Sequence, residues 1–323
     1  MIAFNSIRLS VITGWMLVLA VLVAPQLLLA QWQATVGAQS GDLGRQAMAF
    51  LPNEMWIHAG DSITWTFATN EIHTVSFLLS GQIRPPYQLG CPGFSTGATV
   101  FDGSTCVTTG PAVQGETFTV NFPVAGNFKL VCLVHRDMTA VVHVLELSEP
   151  LPHTQSFYDE QAEAKRGKLL SEAHLHSEHS AENQVIAGIG TISGTPGGLE
   201  NLVVMRFMRH KIVIHAGETV EWSNSDPTAS HTITFGTEPA NPMPPSTNVT
   251  VDPDGARHAV INSTADSVHS GFIVAAAQER VGLPQSPAGV TRFRVTFSHA
   301  GIYSYICALH DNLGMKGTVV VLP

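Results

Sequence analysis

Three short blocks of this sequence occur twice, in the same order. "WIHAGDSITWTF" (56–67) is answered by "VIHAGETVEWSN" (213–224), and "EIHTVSF" (71–77) by "SHTITF" (230–235). "NFPVAGNFKLVCLVH" (121–135) is answered by "TFSHAGIYSYICALH" (296–310). Ordered matches of this kind mark a duplicated unit. Whatever fold one half adopts, the other half must be able to adopt too. A chain of 323 residues is long for one domain and comfortable for two.

Each unit reads as β. In the first, Ser62–Ala68, Thr74–Leu78, Thr117–Phe122, Asn127–Val131 and Ala140–Glu146 alternate or are rich in Val, Thr, Ile and aromatics. In the second, Lys211–His215, Thr219–Ser223, Thr232–Phe235, Thr291–Phe297, Ile302–Ile306 and Gly317–Leu322 do the same. Short strands separated by Gly and Pro predict an all-β chain of two tandem Greek-key β-sandwiches, over 31–149 and 183–323. The polar stretch 150–182 reads as a linker, helical from Ser156 to about His179. Residues 236–289 read as an insertion in the second unit, with a short helix in "DSVHSGFIVAAAQERVG".

Apolar residues make up 44% of the chain and charged ones 13%, so each half can bury a core. The net charge is −9 and no basic stripe is present, which argues against nucleic acid as a partner. Arg8 is the only charge before Asp42, and Leu9–Ala30 is apolar or uncharged. Residues 1–30 therefore read as a secretory signal, with an uncleaved membrane anchor as the alternative. Either way the rest lies on the export side, in the periplasm, outside the cell or at its surface.

Four cysteines need a place in that oxidising setting. Cys91 and Cys106 flank a Gly/Ser/Thr-rich loop and read as a disulfide. Cys132 and Cys307 remain, each in its own copy of the third block. Cys307, His310 and Met315 follow a C-x2-H-x4-M spacing between two strands, and His231 opens a neighbouring strand. Two imidazoles, one thiolate and a weak thioether form the set that suits copper used for electron transfer. The first unit offers Cys132, His135 and Met138, with His73 as the remote ligand. Its loop is two residues shorter. The expectation is two coppers per chain with different potentials.

"FSHAGIYSYICALHDNLGMKGTVVV" resembles the C-terminal motif of plastocyanins and pseudoazurins, and "FPVAGNFKLVCLVHRDMTAVVHV" the shorter ligand loop of amicyanin-type cupredoxins. The resemblance implies a type 1 copper in each domain, electron exchange with redox partner proteins, and exposed edges of His135 and His310 as the exits. Many such proteins carry Asn after the remote His, where it bonds across to the Cys-bearing loop. Thr74 and Thr232 stand there in this chain. Two other functions stay open. A multicopper oxidase or nitrite-reductase-like enzyme needs histidines beside the ligand cysteine, where this chain has Val131, Leu133, Ile306 and Ala308. Copper storage or delivery could draw on His174, His176 and His179 of the linker, with Met205 and Met208. The expectation is therefore a carrier and not an enzyme.

Overall fold

The computed structural model describes residues 29–85, 91, 99–171, 182–275 and 289–323. All of the leader except Leu29 and Ala30, and the linker histidines 174, 176 and 179, lie outside these residues.

The first half forms β1 (Gln31–Gln39), β2 (Arg45–Leu51), β3 (Glu54–His58), β4 (Ser62–Phe67), β5 (Ser76–Phe77), β6 (Thr99–Val100), β7 (Val107–Thr108), β8 (Thr117–Asn121), β9 (Gly126–Val131) and β10 (Thr139–Leu145). One helix, α1 (Gln155–Ser171), follows. The second half forms β11 (Gln184–Thr195), β12 (Gly198–Met208), β13 (Lys211–His215), β14 (Thr219–Ser225), β15 (Thr234–Phe235), β16 (Thr250–Val251), β17 (Arg257–Ile261), β18 (Val268–His269), β19 (Arg292–Phe297), β20 (Gly301–Ile306) and β21 (Lys316–Leu322).

Alternation fixes which face each strand buries. Ile63, Trp65 and Phe67 of β4 point inward, as do Val220, Trp222 and Asn224 of β14. These strands pack across the sandwich against β9–β10 and β20–β21, building one aromatic-rich core per half. The pairing pattern also recurs. β1 runs parallel to β4 and β3 parallel to β10, just as β11 runs parallel to β14 and β13 parallel to β21. Cys91 and Cys106 form a disulfide.

The halves are not beads on a string. β2 pairs antiparallel with β12, from Met48↔Asn201 to Arg45↔Val204, so one sheet of 11 strands runs through both sandwiches. Each half closes with its own five-stranded sheet, β3-β10-β9-β5-β7 or β13-β21-β20-β15-β18. Strand β2 is buried on both faces. Met48 and Phe50 enter the first core, while Ala47, Ala49 and Leu51 lie under Ala162 and Leu169 of α1. The linker helix is thus a lid on the shared sheet, anchored by the Tyr158 hydroxyl accepting from Trp56 N–H (2.8 Å) and by a Lys165–Glu200 ion pair (2.6 Å).

One sequence expectation fails here. The helix expected in "DSVHSGFIVAAAQERVG" does not form in its described part. Val268 and His269 instead pair with Phe235 and Thr234, because a β-branched residue there completes the sheet edge. Residues 276–288 of that stretch lie outside the described residues.

Candidate metal centres

Each centre draws on one strand pair and one turn. In the first half, His73 makes a two-bond bridge with Ala112, N–H to O at 3.0 and 2.9 Å, which pins its backbone beside β9. Strand β9 ends at Val131, and the turn it enters carries Cys132 and His135 before β10 begins at Thr139. The turn closes on itself: Cys132 N–H donates to Met138 O at 3.0 Å. The second half copies this. His231 bridges Ile273, and Cys307 N–H donates to Met315 O at 3.0 Å. Its two extra residues are taken up by a 3-10 turn, Asp311–Leu313.

These placements bring His73, Cys132 and His135 together, and likewise His231, Cys307 and His310. In the first triad Cys132 Sγ lies 3.9 Å from His73 Nδ1 and 3.7 Å from His135 Nδ1, with the two nitrogens 3.1 Å apart. In the second the corresponding distances are 3.8, 3.3 and 3.1 Å. An ion bonded at about 2.0 Å to imidazole nitrogen and about 2.3 Å to thiolate sets triangle edges of about 3.5 and about 3.7 Å in a trigonal plane. The donor sets therefore come within about 0.4 Å of those edges, a spacing that small side-chain shifts would close around a metal. Met138 is wholly buried in the same cluster as Cys132, and Met315 in that of Cys307. Among the described residues no other group of three His, Cys, Asp or Glu side chains converges in this way.

Backbone donors hold the sulfurs. Cys132 Sγ accepts from Thr74 N–H and His135 N–H, both at 3.4 Å, and Cys307 Sγ from Thr232 N–H at 3.3 Å. The threonines take on the cross-loop bond expected of Asn. Thr74 Oγ1 accepts from Leu133 N–H at 2.8 Å, and Thr232 Oγ1 from Ala308 N–H at 2.7 Å. Burial alone raises the thiol pKa. Hydrogen bonds and charge from the paired imidazoles outweigh it, and both cysteines titrate well below the ordinary thiol range. The thiolate, the form that ligates, is favoured before any metal arrives.

The remote histidines differ in what stands behind them. His231 Nε2 donates to Asp226 Oδ2 at 3.2 Å, with both side chains fully buried. Burial lowers the His231 pKa, but Asp226 and Cys307 raise it to about 9. His73 Nε2 is buried with no hydrogen-bond partner among the described residues. Both rings are backed by a bulge glycine. Gly37 of β1 (φ 68°) and Gly188 of β11 (φ 72°) sit so close that a Cβ would come within 3.0 Å of His73 Nε2 or 2.1 Å of His231 Nε2. These glycines, and Asp226, went unread in the sequence. The irregular "TVGAQ" (35–39) and "AGIG" (187–190), Gly inside a strand pattern, were the available signal.

The family assignment follows from these sites. Residues 198–322 match the family model described as copper binding proteins, plastocyanin/azurin family. The first half repeats the strand pairing and the His–Cys–His geometry of the matched one. The second half carries the cupredoxin family match, and the first half repeats its fold and its site. No curated protein matches it. Similar solved structures each align with less than half of it. A plastocyanin from the fern Dryopteris crassirhizoma is 19% identical, covers 43% of this chain and 99% of its own, and has a TM-score of 0.23. A purple cupredoxin from Nitrosopumilus maritimus is 21% identical over 43% of this chain and 98% of its own, with a TM-score of 0.20. Auracyanin A, a "blue" copper protein from Chloroflexus aurantiacus, is 18% identical over 36% and 98%, with a TM-score of 0.26.

One inference from family resemblance is corrected. His135 and His310 do not offer exposed edges. They are 2% and 5% exposed, because the two cupredoxin domains meet at those edges. Glu71, itself 7% exposed, lies between them, with Oε1 3.4 Å from His135 Nε2 and Oε2 3.7 Å from His310 Nε2. Burial alone raises the Glu71 pKa, but the charges of His310, His135 and His73 bring it down to about 2.

Proposed function

We propose that the protein carries one type 1 copper in each domain and shuttles single electrons between redox partner proteins on the export side of the membrane. Copper, when bound, supplies a one-electron couple. The ligands of the first site are His73, Cys132, His135 and Met138; those of the second are His231, Cys307, His310 and Met315. Convergence of two imidazole Nδ1 atoms and one thiolate, twice, carries this reading. The chain's own contribution is rigidity and dryness. Both ligand turns are closed by backbone bonds, every ligand side chain is buried, and the sulfurs keep fixed N–H donors. A site that keeps its shape in both charge states exchanges electrons with little reorganisation.

A carrier is favoured over an enzyme by the residues beside the cysteines, Val131, Leu133, Ile306 and Ala308, none of which ligates metal. It is favoured over delivery by Met205, which is packed in the first core and so cannot take part in an open, exchanging site. The Cys91–Cys106 disulfide supports export.

Single substitutions test the reading. Cys132→Ser and Cys307→Ser should each remove one thiolate-to-copper absorption component and one copper, leaving the other centre spectrally intact. Colour that survives in the double variant, or that never depended on either cysteine, contradicts it.

A further inference from the structure

Glu71 is the only side chain described here that approaches ligand imidazoles of both halves. A carboxylate this deeply buried persists only where donors compensate the lost water. The outer nitrogen of His135 donates to Glu71 at 3.4 Å, and that of His310 stands 3.7 Å away, a charge contact rather than a hydrogen bond. In each triad the inner nitrogen faces the cysteine: His135 Nδ1 at 3.7 Å from Cys132 Sγ, and His310 Nδ1 at 3.3 Å from Cys307 Sγ. A metal on Nδ1 leaves Nε2 protonated and pointing at Glu71, the arrangement by which a carboxylate orients a metal-bound imidazole. Here one carboxylate serves two.

Several hydrogen bonds cross the interface that sets this geometry. Strand β12 contacts both ligand turns: Asn201 Nδ2 donates to Asp137 O at 2.8 Å, and Arg206 Nη1 donates to Leu313 O at 2.6 Å. Thr139 Oγ1 accepts from Leu199 N–H at 2.9 Å. Ala229 and Leu313, which flank the second site, are packed into the first domain's core. The turn-histidine edges are thereby sealed from any outside protein and opened only to each other.

We propose that Glu71 is a positioning residue that joins the two centres into one internal electron path, His135–Glu71–His310; this rests on the reading that both sites hold copper. In the step, one copper(I) is oxidised to copper(II) while the other copper(II) is reduced to copper(I). One electron moves, and no atom or proton leaves the chain. Coupling falls more steeply across an empty gap than across one filled by packed or hydrogen-bonded atoms, so a carboxylate seated 3.4 and 3.7 Å from the two rings should set the rate.

The test uses the full copper-loaded protein and two variants, Glu71→Gln and Glu71→Ala. Metal content and absorption are measured first, so that a wild type holding fewer than two coppers overturns the two-copper reading by itself. Half-reduced molecules are then made with a pulse of a one-electron reductant, and the concentration-independent re-equilibration is followed optically. The expected result is a rate at least tenfold lower in both variants with both colours retained. A second readout does not depend on turnover. In the diamagnetic copper(I) protein, the Nε2–H proton of His135 should be protected from exchange, and that protection should fall at least tenfold in Glu71→Ala. Unchanged transfer in fully loaded variants overturns the proposal. So does loss of copper from both variants, since Glu71 would then act by holding the ligands in place.

Discussion

The residues that distinguish the two centres stand behind the ligands. His231 Nε2 donates to the buried Asp226 carboxylate, whereas His73 Nε2 meets no acceptor among the described residues. A carboxylate behind an imidazole makes it a stronger donor and favours the more highly charged metal. The second site should therefore have the lower potential of the two from this cause. Asp226→Asn keeps the shape and removes the charge. It should raise the second site's potential by about 60 mV, equivalent to a tenfold change in a one-electron equilibrium, and leave the first unchanged. Redox titration of the two absorption components checks this. The two His–Cys–His groups that converge were legible, because Cys, His and Met at short fixed spacing in a β context restrict the chemistry. Glu71 and Asp226 were not. In "TNEIHT" and "NSDPTAS" each reads as an ordinary acidic turn residue. Their meaning depends on where an imidazole ring points, and for Glu71 on a ring in the other half of the chain.

At the scale of elements, the bulges in β1 and β11 are parts of the candidate metal sites. The register of each strand slips at its glycine, between Val36 and Ala38 and between Ala187 and Ile189, which turns the backbone toward the remote histidine. Gly188→Ala would set a Cβ 2.1 Å from His231 Nε2 at a φ of 72°. The left-handed backbone alone costs about 1–2 kcal/mol, and the ring must move as well. We expect the variant to lose copper from the second site and keep it at the first, as metal analysis and absorption would show. Strands with a clean period of two, such as β4, β8, β14 and β19, were readable from alternation. Strands β2 and β12 were not, because burial on both faces removes the alternation that betrays a strand. The helix α1 was readable as a helix. Its docking was not, since only Tyr158, Ala162 and Leu169 are buried along it.

The long sheet of the molecule does not stop at the boundary between the halves. Two sandwiches joined by a free tether would be expected to melt separately. Here β2–β12 pairing and the α1 lid tie the cores together, so calorimetry should show one cooperative transition. Removing copper should lower its midpoint. A ligand held by the native state alone at about 1,000 times its dissociation constant contributes about 4.1 kcal/mol, which is the scale of loss expected on chelation for each triad that holds copper. The duplicated blocks made two units legible. The mutual burial of their active edges was invisible, because the residues that create it come from strands with no local pairing signal.

The central claim is that both triads hold copper through thiolate. The most direct test is spin resonance on the oxidised, copper-loaded protein, integrated against a metal count. The account predicts two coppers per chain, both spin-detectable and both with the narrow hyperfine splitting of a thiolate-bound ion. One copper per chain, or a second signal typical of nitrogen and oxygen ligands only, would contradict it.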